Sequence, residues 1–130
     1  KEIREKAEEC LKLTELLHLK DEYAGNLSGG QKRLLELART MMAGPEMILF
    51  DEPGAGVNPS ERRTLADRIR QLVSTEGLTV LLIGHEMELV MDVCDPIIVM
   101  ERGKKLTEGT PQEVAEDMRV LEVYLGGSSS

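Results

Sequence analysis

The sequence predicts an α/β fold in which helices pack on a mostly parallel sheet. Three observations carry that expectation. Met47-Ile48-Leu49-Phe50-Asp51-Glu52-Pro53 runs four apolar side chains straight into two carboxylates and stops at a proline. Leu78-Thr79-Val80-Leu81-Leu82-Ile83 is a second apolar run. Between them, Leu65, Ile69, Leu72 and Val73 recur at helical spacing. Strand, helix, strand on short links is a βαβ unit, with parallel pairing and a right-handed crossover. Continuous apolar runs of this length read as strands buried on both faces.

The chain has 130 residues, one domain's worth and enough to bury a core. With 41% hydrophobic and 31% charged residues its composition is that of a soluble globular protein, and no apolar run is long enough to span a bilayer. A net charge of -8 argues against nucleic acid as a partner, because neutralising phosphates takes a basic face. Cys10 and Cys94 each sit in a helical pattern and read as buried free thiols. The chain opens at Lys1 already inside a helical pattern and closes on Gly126-Gly127-Ser128-Ser129-Ser130, which reads as a flexible tail. Both ends suggest a piece of something longer.

In order, residues 2–17 carry Ile3, Ala7, Cys10, Leu11, Thr14 and Leu17 on one face of a predicted helix, with His18 as its C-terminal cap. Ser28 and Gln31 in Leu27-Ser28-Gly29-Gly30-Gln31 form a capping box, and Leu34, Leu35, Leu37, Ala38 and Met41 continue that helix. Two glycines in a first turn cost roughly 1 kcal/mol each against alanine. They make sense where an anion such as phosphate must approach the backbone amides. A glycine-softened cap explains the same stretch. Ala43-Gly44-Pro45 ends the helix before the acidic strand.

Ligands of parallel sheets bind outside the carboxyl ends of the strands, where Asp51 and Glu52 arrive. Alternation along the strand end points the two acids apart, so one can organise a metal while the other activates a nucleophile. Asn58, Pro59 and Glu61 are N-cap, first and third positions of the next helix, and Gly77 stops it. His85 follows the second strand at the same sheet edge as the acids, a position for a phosphate contact or proton carrier. Met87, Val90, Met91 and Cys94 predict the inner face of a further helix. Residues 96–100 and 104–108 predict a hairpin turned at Arg102-Gly103, and Thr110 with Glu113 a capping box before terminal helices holding Val114, Val120, Leu121 and Tyr124.

Taken together, Leu27-Ser28-Gly29-Gly30-Gln31, the acidic strand 48–53 and His85 after the next strand resemble the ATP-binding cassette ATPases over essentially residues 1–125. The resemblance makes residues 27–31 the signature loop, 47–51 the Walker B strand, 54–58 the D-loop and His85 the switch histidine. Asn58-Pro59, Gly109-Thr110-Pro111 and Tyr124-Leu125-Gly126 look most like the subunits that drive branched-chain amino-acid importers. The family pattern is departed from at Glu86, where Asp is common, and at Gly54, where a larger residue is usual.

What the resemblance implies is a P-loop NTPase-like sheet divided as 1–43, helical subdomain with the signature loop, 44–125, C-terminal part of the nucleotide-binding core, and 126–130, tail. The phosphate loop and its strand, the adenine-stacking aromatic and the glutamine loop do not occur in this sequence, so it resembles the second half of a cassette, and alone it is expected to be inactive. Asp51 would hold Mg²⁺ through water, Glu52 would polarise the attacking water and His85 would contact the γ-phosphate of ATP. Ser28, Gly29, Gly30 and Gln31 would bind the γ-phosphate held by a second cassette in a head-to-tail dimer, with Asn58 beside the nucleotide. Further implied partners are the missing first half and the transmembrane permease subunits, which put the protein on the cytoplasmic face of the cell membrane. Two other readings stand beside a transport ATPase: the same half of a soluble cassette ATPase in translation or DNA repair, and a binding module without enzymatic activity.

Overall fold

The computed structural model describes residues 1–125. The Gly/Ser tail at 126–130 lies outside the described residues. The chain divides into two compact units, Lys1–Leu89 and Val90 onward.

In the first unit, α1 (Glu2–Leu13) and α2 (Gly29–Met41) lead into β1 (Met47–Asp51), α3 (Pro59–Glu76) and β2 (Thr79–Ile83). The two strands pair in parallel, with Leu49 opposite Leu81 and Asp51 opposite Ile83. The βαβ expectation therefore holds. Ser28 and Gln31 cap α2 reciprocally, at 3.1 Å from the Gln31 amide to Ser28 Oγ and 2.9 Å from the Ser28 amide to Gln31 Oε1. Asn58 caps α3 through the Glu61 amide, Pro59 opens it, and Gly77 closes it in the left-handed region at φ 66°.

One side of the strand pair holds the core. Ile48, Phe50, Val80 and Leu82 face α2 and α3 and pack with Leu34, Leu37, Leu65, Ile69 and Leu72. The other side is open: Leu49 is 70% exposed and Ile83 58%, with Met47 and Leu81 about half exposed. The expectation of strands buried on both faces is thus corrected. An apolar run reports what a strand can bury, and helices cover only one face of this one. Val73 is likewise exposed, and Ala66 takes its place in the buried stripe of α3.

The first helix ends earlier than the pattern predicts, at Leu13. The Thr14 hydroxyl donates back to the Cys10 and Leu11 carbonyls, and Glu15 takes φ 58°. The Glu15 amide donates to the Lys12 carbonyl and the Leu16 amide to the Leu11 carbonyl, the two bonds of a Schellman stop. His18 falls in a separate 3₁₀ turn, Leu17–Leu19, and does not cap α1. Ile3 is exposed.

After β2 comes α4 (Met87–Val93), whose deeply buried residue is Leu89, with Met87, Val90 and Met91 only half-buried. The inner face predicted on Met87, Val90, Met91 and Cys94 is off by one position, because this seven-residue helix turns Leu89 toward Gly54. Cys10 is a buried free thiol and Cys94 a half-buried one.

In the second unit, β3 (Ile97–Glu101) and β4 (Lys104–Gly109) form an antiparallel hairpin. Arg102 and Gly103 both have positive φ, 50° and 77°, as a two-residue type I′ turn requires. Two short helices follow, α5 (Pro111–Glu116) and α6 (Met118–Leu125). Thr110 caps α5 through the Glu113 amide, but the Glu113 carboxylate accepts from the Thr110 hydroxyl, so the predicted capping box is only half made. Val114 and Val120 are buried there, and Leu121 and Tyr124 half-buried. Among the described residues β2 pairs only with β1, and β3 only with β4.

Candidate active site

Register brings the acids and the histidine together. Asp51 is paired with Ile83, and the Glu52 amide extends the ladder by donating to the Ile83 carbonyl at 2.7 Å. His85, two residues beyond Ile83, then stands across from Glu52. Its Nδ1 lies 2.9 Å from Glu52 Oε2 and 3.1 Å from Oε1, although the two residues are 33 positions apart. Glu52 sits at φ 51°, a left-handed conformation that a residue with a Cβ adopts at a cost. That turn lifts its carboxylate off the strand line toward the imidazole. Asp51 remains exposed at the strand end.

The hydrogen bond from Glu52, and then its negative charge, hold the His85 imidazole above the ordinary value of a histidine, with a smaller push from Glu86. A group raised in the folded state contributes stability that is complete below its unfolded pKa and fades as pH climbs through the folded one. We therefore expect the His85 ring to titrate by NMR above about 6.5, and Glu52→Gln to bring it back toward that ordinary value. A midpoint at or below the ordinary value in the unsubstituted chain would contradict the contact.

The glycine-rich turn is built from the same neighbourhood. The Gly30 amide donates to Glu61 Oε2 at 2.9 Å, and a Cβ on Gly30 would come within 2.6 Å of the Glu61 side chain. A Cβ on Gly29 would meet the Gly56 carbonyl at 3.2 Å, and Arg33 Nη2 donates to the Ala55 carbonyl at 3.3 Å. The N-terminus of α2 is therefore seated on the 54–58 loop and the first turn of α3. The glycines do admit an anion to the amides, and in this structure it is the carboxylate of Glu61. Sequence reasoning took Glu61 only as a first-turn acid of α3, since nothing local links it to a residue 31 positions away.

Asp51 offers a hard oxygen donor, the type Mg²⁺ prefers. No group of three or more acids, histidines or cysteines surrounds it among the described residues. That suits an ion held by one carboxylate, water and substrate phosphates, the usual arrangement for Mg²⁺ at phosphate chemistry, and does not suit an all-protein cage. A cleft of about 270 Å³ opens beside Asp51 between α2 and β1, lined in part by Arg33, Glu36, Thr40 and Leu49. Neither Glu52 nor His85 lines it, so it is not where those two residues would act.

A parallel strand ending in paired acids, a histidine on the neighbouring strand's exit and a capped glycine turn lie together in one compact α/β unit. The chain matches the ATP-binding cassettes of ABC transporters: the family model described as ABC transporter matches residues 2–55, and that of the branched-chain amino acid ATP-binding cassette transporter matches 104–129. It is 41% identical over 126 residues to the high-affinity branched-chain amino acid transport ATP-binding protein BraF of Pseudomonas aeruginosa, covering 97% of this chain and 49% of that one. With the probable branched-chain amino acid transport ATP-binding protein LivG of Archaeoglobus fulgidus the identity is 40% over 129 residues, 99% of this chain and 50% of the relative. A solved ATP-binding cassette of an ABC transporter in its ADP conformation superposes with a TM-score of 0.88 at 38% identity, over 97% of this chain and 51% of the other. The chain spans about half the length of the curated relatives it matches.

Proposed function

We propose that this chain is the C-terminal half of an ATP-binding subunit that couples Mg-ATP hydrolysis to the import of branched-chain amino acids. The observation that carries the reading is the Glu52–His85 contact at the carboxyl edge of the parallel strands, one residue from Asp51. Glu52 is the acceptor for the proton of the attacking water, and His85 orients that carboxylate through Nδ1 and leaves Nε2 for a phosphate oxygen. Asp51 would hold Mg²⁺, and the ion would supply charge neutralisation on the phosphates.

Ser28, Gly29, Gly30 and Gln31 serve the γ-phosphate of ATP on a second cassette, with Asn58 beside it, so turnover needs a head-to-tail dimer. The capped α2 terminus supports this: its glycines already accept a carboxylate at the Gly30 amide. Permease subunits would bind the dimer at the cytoplasmic face of the membrane. No helix among the described residues is long and apolar enough to cross a membrane itself.

The names of the relatives favour amino-acid import over the soluble-ATPase reading. Reconstitution of the full-length subunit with its permease in vesicles tests the proposal. Uptake of leucine, isoleucine or valine that depends on Mg-ATP is the expected result. ATP hydrolysis that no permease stimulates and that moves no amino acid would overturn the transport role.

A further inference from the structure

We propose that Glu86, held by Arg62 and given room by Gly54, is a positioning residue that sets where His85 stands relative to Glu52. The inference rests on the roles of Glu52 and His85 proposed above and adds the device that places one against the other.

His85 has little of its own to hold it. Its side chain is 71% exposed, and the contact with Glu52 is its hydrogen bond among the described residues. Its place at the sheet edge is therefore dictated by the backbone of the short link between Ile83 and Met87. Glu86, the next residue on that link, is the opposite case. Its side chain is only 18% exposed and pairs with Arg62 Nη1, from the first turns of α3, itself 25% exposed. Arg62 Nε is buried with no hydrogen-bond partner, so Glu86 carries most of the burden of neutralising that guanidinium. Removing one member of a mostly buried pair leaves the other charged and desolvated, so each holds the other in place.

Gly54 is the third part. It is buried, two residues after Glu52, and a Cβ there would lie 3.0 Å from Glu86 Oε2, 3.2 Å from its Cδ and 3.1 Å from Leu89 Cδ2. A side chain at 54 and a glutamate at 86 compete for one space. The loop bearing Glu52 and the link bearing His85 are locked through Glu86, and the imidazole is left in reach of the carboxylate.

The test is a cycle on the full-length subunit with Gly54→Ala, Glu86→Asp and the double variant. Two readouts are followed: ATP hydrolysis, and the ¹⁵N signal of the His85 ring, assigned by its loss in His85→Ala. Misplacing a catalytic group by about 1 Å costs up to about 100-fold, so Gly54→Ala should lower kcat about 10- to 100-fold with KM for ATP nearly unchanged, and shift the Nδ1 signal toward that of Glu52→Gln. Glu86→Asp shortens the competing side chain and should restore both in the double variant. Arg62→Met, which does not crowd the loop, should shift the same signal if Gly54→Ala fails to fold. A His85 signal unmoved by Gly54→Ala or Arg62→Met, or effects that add in the double variant, would overturn the proposal. A subunit without ATPase activity would remove the function proposed for the site, while the ring signal would still decide the positioning role.

Discussion

Glu52→Gln in the full-length subunit is expected to leave Mg-ATP binding within about threefold and to cut turnover about 100- to 10,000-fold, the usual contribution of a positioned general base. The amide keeps the size and shape of the side chain, so the turn at φ 51° and the backbone bond to Ile83 have no reason to change. What goes is the negative charge facing His85 Nδ1 and the capacity to take a proton. Asp51, on the other side of the strand end, is untouched and still available to the cation. Single-turnover hydrolysis and nucleotide binding measured side by side separate the two effects. Turnover near the unsubstituted rate would remove Glu52 from the reaction.

The second large effect concerns the strand pair. Met47, Leu49, Leu81 and Ile83 lie on one open face, and the outer edge of β2 has no strand beside it among the described residues. Pairing β2 with a second copy would add several backbone hydrogen bonds at about 0.5–1.5 kcal/mol each. Covering half-exposed Leu or Ile side chains would add roughly 1 kcal/mol apiece. The 130-residue chain alone is therefore expected to self-associate at micromolar concentration, and Leu49→Lys with Leu81→Lys to return it toward monomer. Light scattering decides the matter, and a monomeric unsubstituted chain would refute it. In the longer subunit proposed above, the remainder of the cassette would cover this face.

Local chemistry made much of this legible. Ser28 with Gln31, Asn58 with Pro59, Gly77 and Arg102-Gly103 each mark a boundary by a mechanism acting within four residues, and each is found where it was expected. His85 stands at the sheet edge of Asp51 and Glu52 because a βαβ unit runs its strands in parallel. The misses have a common character. The stop at Glu15 uses a left-handed residue with a full side chain, where glycine would have announced it. Exposure of Leu49 and Leu81 depends on what covers the sheet, which the residues of the strand do not encode. Glu61 against Gly30, and Arg62 against Glu86, join charged residues far apart in sequence on surfaces that periodicity reads as solvated.

The left-handed backbone at Glu52 sets fold against work at a single position. A residue with a Cβ pays roughly 1 kcal/mol or more to hold that conformation, and only glycine is spared. Glycine there would relax the turn and discard the carboxylate, so it is expected to raise the melting temperature and lower the turnover proposed above. Stability alone would favour glycine there, as it would at Glu15 and Arg102, which share the left-handed backbone. Glutamate at this position carries a backbone cost that the role proposed above for its carboxylate would account for.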